Sequence, residues 1–200
     1  MSQELLNLAA TSAETVPLSV EPLPKPSTLL RSIIETFVLM AIIFLMVNTA
    51  IGRFQIQGPS MQPNLHEGER VIVDKVTYWL RPPQRGDIIV FDGHGAVDLI
   101  KRIIALPDET IEIHGGQVSI NGIVLDEPYL EHPTSSDVSA QQVAADHYYV
   151  MGDNRDNSQD SRAFGAITSK EIVGRAWIIY WPPTNWLIVP HYNYAAAQTH

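Results

Sequence analysis

The sequence predicts a mainly β protein: an antiparallel β-sheet core carrying an inserted, smaller β-hairpin subdomain, preceded by one N-terminal transmembrane helix. Three observations predict this. An apolar run from Ile33 to Ile51 is long enough to cross a bilayer. After Gly52, short runs rich in Val, Ile and aromatic residues are separated by Gly, Pro and Asp. No helical stripe of useful length interrupts those runs.

Residues 1–31 read as a disordered lead-in, because Pro17, Pro22, Pro24 and Pro26 fall close together in a polar stretch. The transmembrane helix is placed at 32–51, within "RSIIETFVLMAIIFLMVNTAIGRF", with Glu35 and Asn48 near its ends. A span needs about 20 such residues to cross roughly 30 Å of hydrocarbon. Backbone groups are satisfied there only in a helix. A cleaved signal peptide fits less well. The leading segment is long, the core exceeds a usual h-region, and Asn48 and Ala50 do not make a small-x-small site. A buried soluble helix would be striped, whereas this run is apolar all round. Lys25 and Arg31 precede it and Arg53 follows, which leans towards a cytoplasmic N-terminus.

The strand signals are "RFQIQ", "RVIVDKVTYWL", "GDIIVFD", "DLIKRIIAL", "TIEIHGG", "QVSINGIVL", "HYYVMGD" and "EIVGRAWIIYWP". "HGGQ" and "ING" mark hairpin turns. Residues 126–146 are polar and strand-poor, and read as an excursion or loop. The resulting division is a β-core of 52–106 and 148–200 with an inserted hairpin subdomain at 107–147.

Composition excludes several chemistries. The chain of 200 residues carries a net charge of -9, and 18 acids against 11 bases, a net of -7, fall after the apolar run. Nucleic-acid binding is disfavoured by that balance. It suits solubility and an attraction for basic peptides, without selecting a partner. The absence of cysteine removes disulfides, thiol catalysis and thiolate metal sites. His66, His94, His114, His132, His147, His191 and His200 are scattered without metal-ligand spacing, so no metal is expected.

In "QIQGPSMQPNL", Ser60 stands among Gly58, Pro59, Met61 and Pro63 at a sharp bend. A serine nucleophile needs a group that takes its proton. Lys101, in "DLIKRIIAL", shares a strand face with Leu99, Ile103 and Ala105, while Arg102 points the other way. Such a lysine is either a snorkelling edge residue or a buried amine. Burial disfavours its charged form, and a neutral lysine is a general base. Lys75 is the local rival, but Asp74 beside it favours its charged form. A Ser-His-Asp triad stays open on sequence order alone, although no histidine has so constrained a setting. The polar loop "MGDNRDNSQDSRAFG" fails as a calcium loop: Arg162 falls at a ligand position and Ile167 stands where glutamate should. What remains is a dense hydrogen-bonding loop able to orient a buried amine.

At these residues the sequence resembles bacterial type I signal peptidases. "GPSMQPNL" is similar to that family's nucleophile box, "RGDIIVF" to its structural strand box, "KRIIALPDE" to its lysine box and "GDNRDNSQDSR" to its last box. They follow the family's order after an amino-terminal anchor. The resemblance implies a Ser-Lys dyad protease that removes signal peptides from exported preproteins, without cofactor or metal. It implies Ser60 as nucleophile, Lys101 as general base and Ser158 as a hydrogen-bond partner of the lysine. The Ser60 N–H would be one oxyanion donor. Asp153 with Arg102, and Asp160 with Arg162, would be bracing ion pairs. Two departures stand out. Gly58 occupies the place where some members carry a second, hydroxyl oxyanion donor. Ala105, Asp108 and Glu109 replace the usual glycine and the end of Pro-Gly-Asp, which leaves the turn after the lysine strand open.

A signal peptide ends in small residues at alternate positions, and an extended peptide can add to a sheet edge. "RFQIQ" and "DLIK" are the expected edges. Phe54, Ile56, Met61, Leu65, Leu99 and Ile100 are the apolar residues expected around the pockets. Membrane lipid is an expected partner, because Trp177, Tyr180, Trp181 and Trp186 crowd the tail. Two rival readings are a self-cleaving Ser-Lys peptidase of the repressor type, which would need a DNA-binding amino-terminus, and a membrane-anchored β-domain that binds exported peptides without cutting them.

Overall fold

Helix α1 runs from Pro26 to Ala50 in the computed structural model, which describes residues 26–93, 95 and 97–194. Most of the lead-in, residues 1–25, lies outside the described residues, as do His94 and His200. The helix ends next to the expected boundary but begins several residues earlier, because proline is tolerated in a first helical turn. Residues Leu29–Ala50 are long and apolar enough to cross a membrane, and none of that stretch is buried. Arg31 Nε donates to Glu35 Oε1 at 2.7 Å, one turn apart on its exposed surface.

The remaining elements are β1 (Ile51–Gln55), β2 (Arg70–Asp74), a four-residue helix α2 (Thr77–Leu80), β3 (Ile88–Asp92), β4 (Asp98–Ala105), β5 (Thr110–His114), β6 (Gln117–Ile120), β7 (Ile123–Val124), β8 (Val138–Gln142), β9 (His147–Met151), α3 (Ser161–Phe164), β10 (Ile167–Thr168), β11 (Ile172–Trp181) and β12 (Leu187–Ile188). Among the described residues they form two antiparallel sheets. The larger has the order β1-β2-β11-β3-β4-β9-β10, with β12 also paired to β11; the smaller has the order β7-β6-β5-β8. The mainly antiparallel fold is therefore as expected.

Two local expectations are corrected. "RVIVDKVTYWL" is not one strand. The Asp74 carboxylate accepts the N–H groups of Val76 at 2.8 Å and Thr77 at 3.0 Å, and also bonds the Thr77 hydroxyl. That turn ends β2 and starts α2. Residues 126–146, strand-poor as read, carry one strand all the same. β8 pairs with β5, with Val138 opposite Ile113 and Gln142 opposite Thr110. Its polar residues hid it because it is an edge strand whose side chains are almost all exposed. The smaller sheet thus has four strands where a hairpin was expected.

Strand alternation places the cores. In β3, Ile88 and Val90 face one cluster with Ile56, Met61 and Leu65, while Ile89 and Phe91 face another with Ile103 and Val150. A third cluster joins Ile104 and Ala105 of β4 to Ile111, Val118 and Val143 of the smaller-sheet region. Next to it, Asp108 adopts φ 65° where the resemblance would put glycine. Aspartate is one of the few side chains that enter this left-handed region at modest cost. The altered turn is closed by Leu106 N–H donating to Glu109 Oε2 at 2.7 Å and Asp108 N–H to Val143 O at 3.0 Å.

Candidate active site

Ser60 follows β1 on a turn that its neighbours anchor. Ile56, Met61 and Leu65 are at most 1% exposed, so the chain on both sides of Ser60 is pulled into the core. Leu65 N–H donates to Met61 O at 2.9 Å and Gln62 N–H to Pro59 O at 3.1 Å. Gly58 permits the bend with φ 75°. A β-carbon there would meet nothing within contact distance, so the demand is on backbone conformation rather than space.

Lys101 comes from β4, opposite Ile89 of β3, and is 3% exposed. Its Nζ lies 2.8 Å from Ser60 Oγ and donates to Ile100 O at 2.9 Å. Burial pushes its pKa down to about 8, against the pull of the Asp160 and Asp153 carboxylates, which favour the ammonium. The structure therefore brings together the serine and lysine singled out in the sequence. Lys75 sits past the end of β2 opposite the start of β1, at the far end of that pair from the Ser60 turn.

The loop after β9 closes the site from behind. Asn154 N–H donates to Ser60 O at 3.0 Å. A β-carbon on Gly152 would collide with that same carbonyl and with Ser158 Oγ, so backbone packs directly on backbone here. Arg102 and Asp153 pair through Nε–Oδ1 at 2.8 Å and Nη2–Oδ2 at 2.7 Å. The Arg102 guanidinium also donates to Gly86 O at 3.0 Å. Asp160 caps α3 and receives Arg162 Nε and Nη2, both at 2.8 Å, together with Gly152 N–H at 3.0 Å. Burial works to raise the Asp160 pKa, but its hydrogen bonds to Arg162 and Gly152 hold it below the usual carboxylate value.

Other expected residues lie elsewhere. Lys101 Nζ does not carry the expected bond to Ser158. That hydroxyl is buried over Gly152, close to the Asp160 carboxylate it helps keep ionised, and it makes no hydrogen bond of ordinary geometry. Ile56, Met61, Leu65 and Ile100 do not line an open pocket. They are packed into the first core cluster: Ile100 by alternation along β4, and Ile56, Met61 and Leu65 because the bend after β1 folds back over the sheet. Phe54 and Leu99 remain half-buried. Leu99, with Phe91, Gly93, Gln159 and Phe164, lines a hollow of about 410 Å³. Three partners had no signal in the sequence: Asn64, Glu127 and Tyr129, which meet Asp153, Arg155 and Arg102 from long sequence distances.

Residues 29–181 match the family described as signal peptidase, peptidase S26. The chain is 38% identical over 169 residues to a signal peptidase I of Leptolyngbya laminosa, covering 80% of this chain and 83% of that one. It is 37% identical over 169 residues to signal peptidase I S of Bacillus subtilis, covering 76% and 91%. A solved structure of a signal peptidase I from Enterococcus faecalis is 33% identical, with a TM-score of 0.43, over 46% of this chain and 95% of that one.

Proposed function

Because the chain belongs to the signal peptidase family, peptidase S26, we propose that it is a membrane-anchored serine endopeptidase that removes signal peptides from exported preproteins, cutting after an Ala-x-Ala-like site. Ser60 is the nucleophile and Lys101 the general base. The observation that carries this reading is the 2.8 Å separation of Lys101 Nζ and Ser60 Oγ, with the amine almost wholly out of water.

The charged amine only donates to Ser60 Oγ. Once neutral, its lone pair faces the hydroxyl and takes that proton as Oγ attacks the scissile carbonyl carbon. The Ser60 N–H stabilises the resulting oxyanion. Collapse of this intermediate breaks the C–N bond, and the Lys101 ammonium returns its proton to the leaving amine. Lys101 then deprotonates a water that attacks the acyl-serine; the bond from the acyl carbon to Ser60 Oγ breaks, Oγ takes the proton back from the Lys101 ammonium, and the signal peptide leaves as a free carboxylate. The hydrogen bond to Ile100 O holds Nζ in one place through the cycle. Asp153–Arg102 and Asp160–Arg162 brace the loop without touching the reacting atoms. Gly58 offers no side-chain donor to the oxyanion, which leaves that task to backbone.

The sheet supports the substrate's path. β9 pairs with β4 only from Arg102 onward, whereas β3 pairs with β4 from Asp98, so residues 98–101 have one side unpaired. An extended peptide can hydrogen-bond there, ending beside Lys101. β1, at the sheet's end, is the other candidate edge. Alternate peptide side chains would meet Phe54, Leu99 and the hollow beside Phe164. The apolar helix tethers the enzyme to the membrane that also holds its substrate, which raises effective concentration. Lys25 and Arg31 before the helix favour an N-terminus on the cytoplasmic side and a catalytic domain on the exported side. Trp177, Trp181 and Trp186, all exposed, contact lipid.

The test uses detergent-solubilised protein and a preprotein with an Ala-x-Ala site. Wild type cleaves it, while Ser60→Ala and Lys101→Ala do not. Binding without cleavage by wild type would favour the non-catalytic domain instead. Deprotonated Lys101 is the active form, so kcat rises as pH climbs through about 8 and falls below it. A flat profile from pH 6 to 10 would contradict the lysine base.

A further inference from the structure

The inserted subdomain meets the core at several places, and one group of these contacts reaches β4 and the loop behind Ser60. After β7, the chain brings Glu127 and Tyr129 against β4 and the 152–155 loop. Arg155 Nη1 donates to Glu127 Oε2 at 2.9 Å and Nη2 to Oε1 at 2.5 Å. The side chains of this pair are 1% and 8% exposed. Tyr129 Oη donates to Glu127 Oε1 at 2.7 Å. The Arg102 guanidinium lies 4.0 Å from the centre of the Tyr129 ring, and Asn64 Nδ2 donates both to Tyr129 O at 2.9 Å and to Asp153 Oδ2 at 2.8 Å.

These bonds form a chain that ends at the nucleophile. Glu127 fixes Arg155, whose Nε donates to Gly152 O at 3.1 Å, and Asn154 between them holds the Ser60 carbonyl. Tyr129 covers Arg102, the residue next to Lys101 and the partner of Asp153. A surface tether for a flexible insertion would need none of this. Its charges would sit in water, where an ion pair contributes little. Here both members of a charge-assisted, two-pronged pair are withdrawn from water at the cost of their hydration.

We propose that Glu127 and Tyr129 are positioning residues: the inserted subdomain is a strut that sets the loop against which Ser60 is held. This rests on the peptidase reading above. The strut makes a signed prediction. Without the Glu127 charge, Arg155 turns to Asp153 as its remaining acid. Asp160, the stronger of the two carboxylates that favour the Lys101 ammonium, keeps its place, while Asp153 does less, so Lys101 loses its proton at slightly lower pH.

The experiment measures kcat, KM and the acid limb of the pH–rate profile on the full-length, detergent-solubilised protein, with amide hydrogen exchange at Asn154 as a readout independent of turnover. Glu127→Gln is expected to lower kcat by about 10- to 100-fold, the scale of a small misplacement of reacting groups, with KM within about twofold. Its acid limb moves to lower pH and Asn154 exchanges faster. Removing both charges, in Glu127→Gln with Arg155→Gln, returns the limb towards wild type, because no orphaned guanidinium remains to draw on Asp153. Tyr129→Phe keeps the ring over Arg102 and loses the hydroxyl's two hydrogen bonds, to Glu127 and to Tyr194; it lowers kcat about fivefold and serves if Glu127→Gln does not fold. If wild type fails to cleave, the peptidase reading falls. If wild type cleaves and the variants match it in kcat, limb and Asn154 exchange, the strut alone falls. A rise in KM with kcat unchanged would also overturn it, by making these residues substrate contacts.

Discussion

Lys101 and Arg102 are consecutive cations on one strand, both buried, and their surroundings are opposite. The Lys101 amine meets neutral oxygens, the Ser60 hydroxyl and the Ile100 carbonyl. The Arg102 guanidinium meets a carboxylate on two prongs, two carbonyls and the face of Tyr129. Burial works against both charges. On the Arg102 side the hydrogen bonds and charge of Asp153 outweigh it and hold the proton more firmly than usual, whereas the Lys101 pKa is pushed down to about 8. Dryness alone therefore does not decide whether a buried cation keeps its proton; an acid in direct contact does. One face of β4 is built for charge and the other for its loss.

Making both faces alike should have the largest effect. Lys101→Arg puts on the Ser60 side a cation that holds its proton at any workable pH. A drop of about 10²–10⁴ in kcat is expected, the range of general-base catalysis, measured on the same preprotein at pH 9. Arg102→Lys loses the two-pronged pair with Asp153 but leaves the general base in place, so its kcat should fall less than that of Lys101→Arg, and an equal fall would show that the two faces do not differ in role.

A smaller effect separates the faces by stability. Asp153→Ala leaves Arg102 charged and unpaired in the core, at a cost of about 3–5 kcal/mol in denaturant unfolding. Lys101→Met should do the reverse. The folded-state pKa of Lys101, about 8, lies below the ordinary lysine value of 10.5. The folded protein therefore binds this proton less well than the unfolded chain does. The penalty is full below pH 8 and disappears as pH rises through 10.5. Replacement by methionine should stabilise by up to about 3 kcal/mol at pH 7 and by nothing measurable at pH 11. Equal effects at both pH values would mean that the amine is hydrated.

The smallest effect concerns Ser158. With no bond from its hydroxyl to Lys101, Ser158→Ala should lower kcat by less than about tenfold, the scale of one neutral hydrogen bond. A hundredfold loss would mean that the hydroxyl reaches the amine during turnover, and would sharpen the contrast by giving Lys101 a third neutral oxygen.

The contrast was partly legible in the sequence, because strand alternation separates residue 101 from residue 102 without reference to anything distant. The same two-residue period placed Leu99 and Ile103 with Lys101 and turned Arg102 away. Alternation does not say how thick the protein is on each side, so Ile56 and Ile100 could be assigned to a strand run but not to core or pocket, and Met61 and Leu65, on the bend after β1, had no period to place them. β8 escaped because an edge strand with both faces polar carries no periodic signal. Glu127 and Tyr129 escaped for another reason. Their partners lie far along the chain, and nothing in "DEPYLE" says that its glutamate and tyrosine turn inward.

Gly152 has a bearing on motion. Its α-carbon sits so close to the Ser60 carbonyl that not even a methyl group fits between them. The nucleophile's bend and the loop behind it must shift as one piece or stay still. A catalytic cycle that opened the dyad would have to drag the whole 152–155 segment with it, together with the ions pinned there. On the proposed mechanism, the mobile participant in each round of cleavage is then the peptide, which slides in beside a stationary hydroxyl and leaves it where it was.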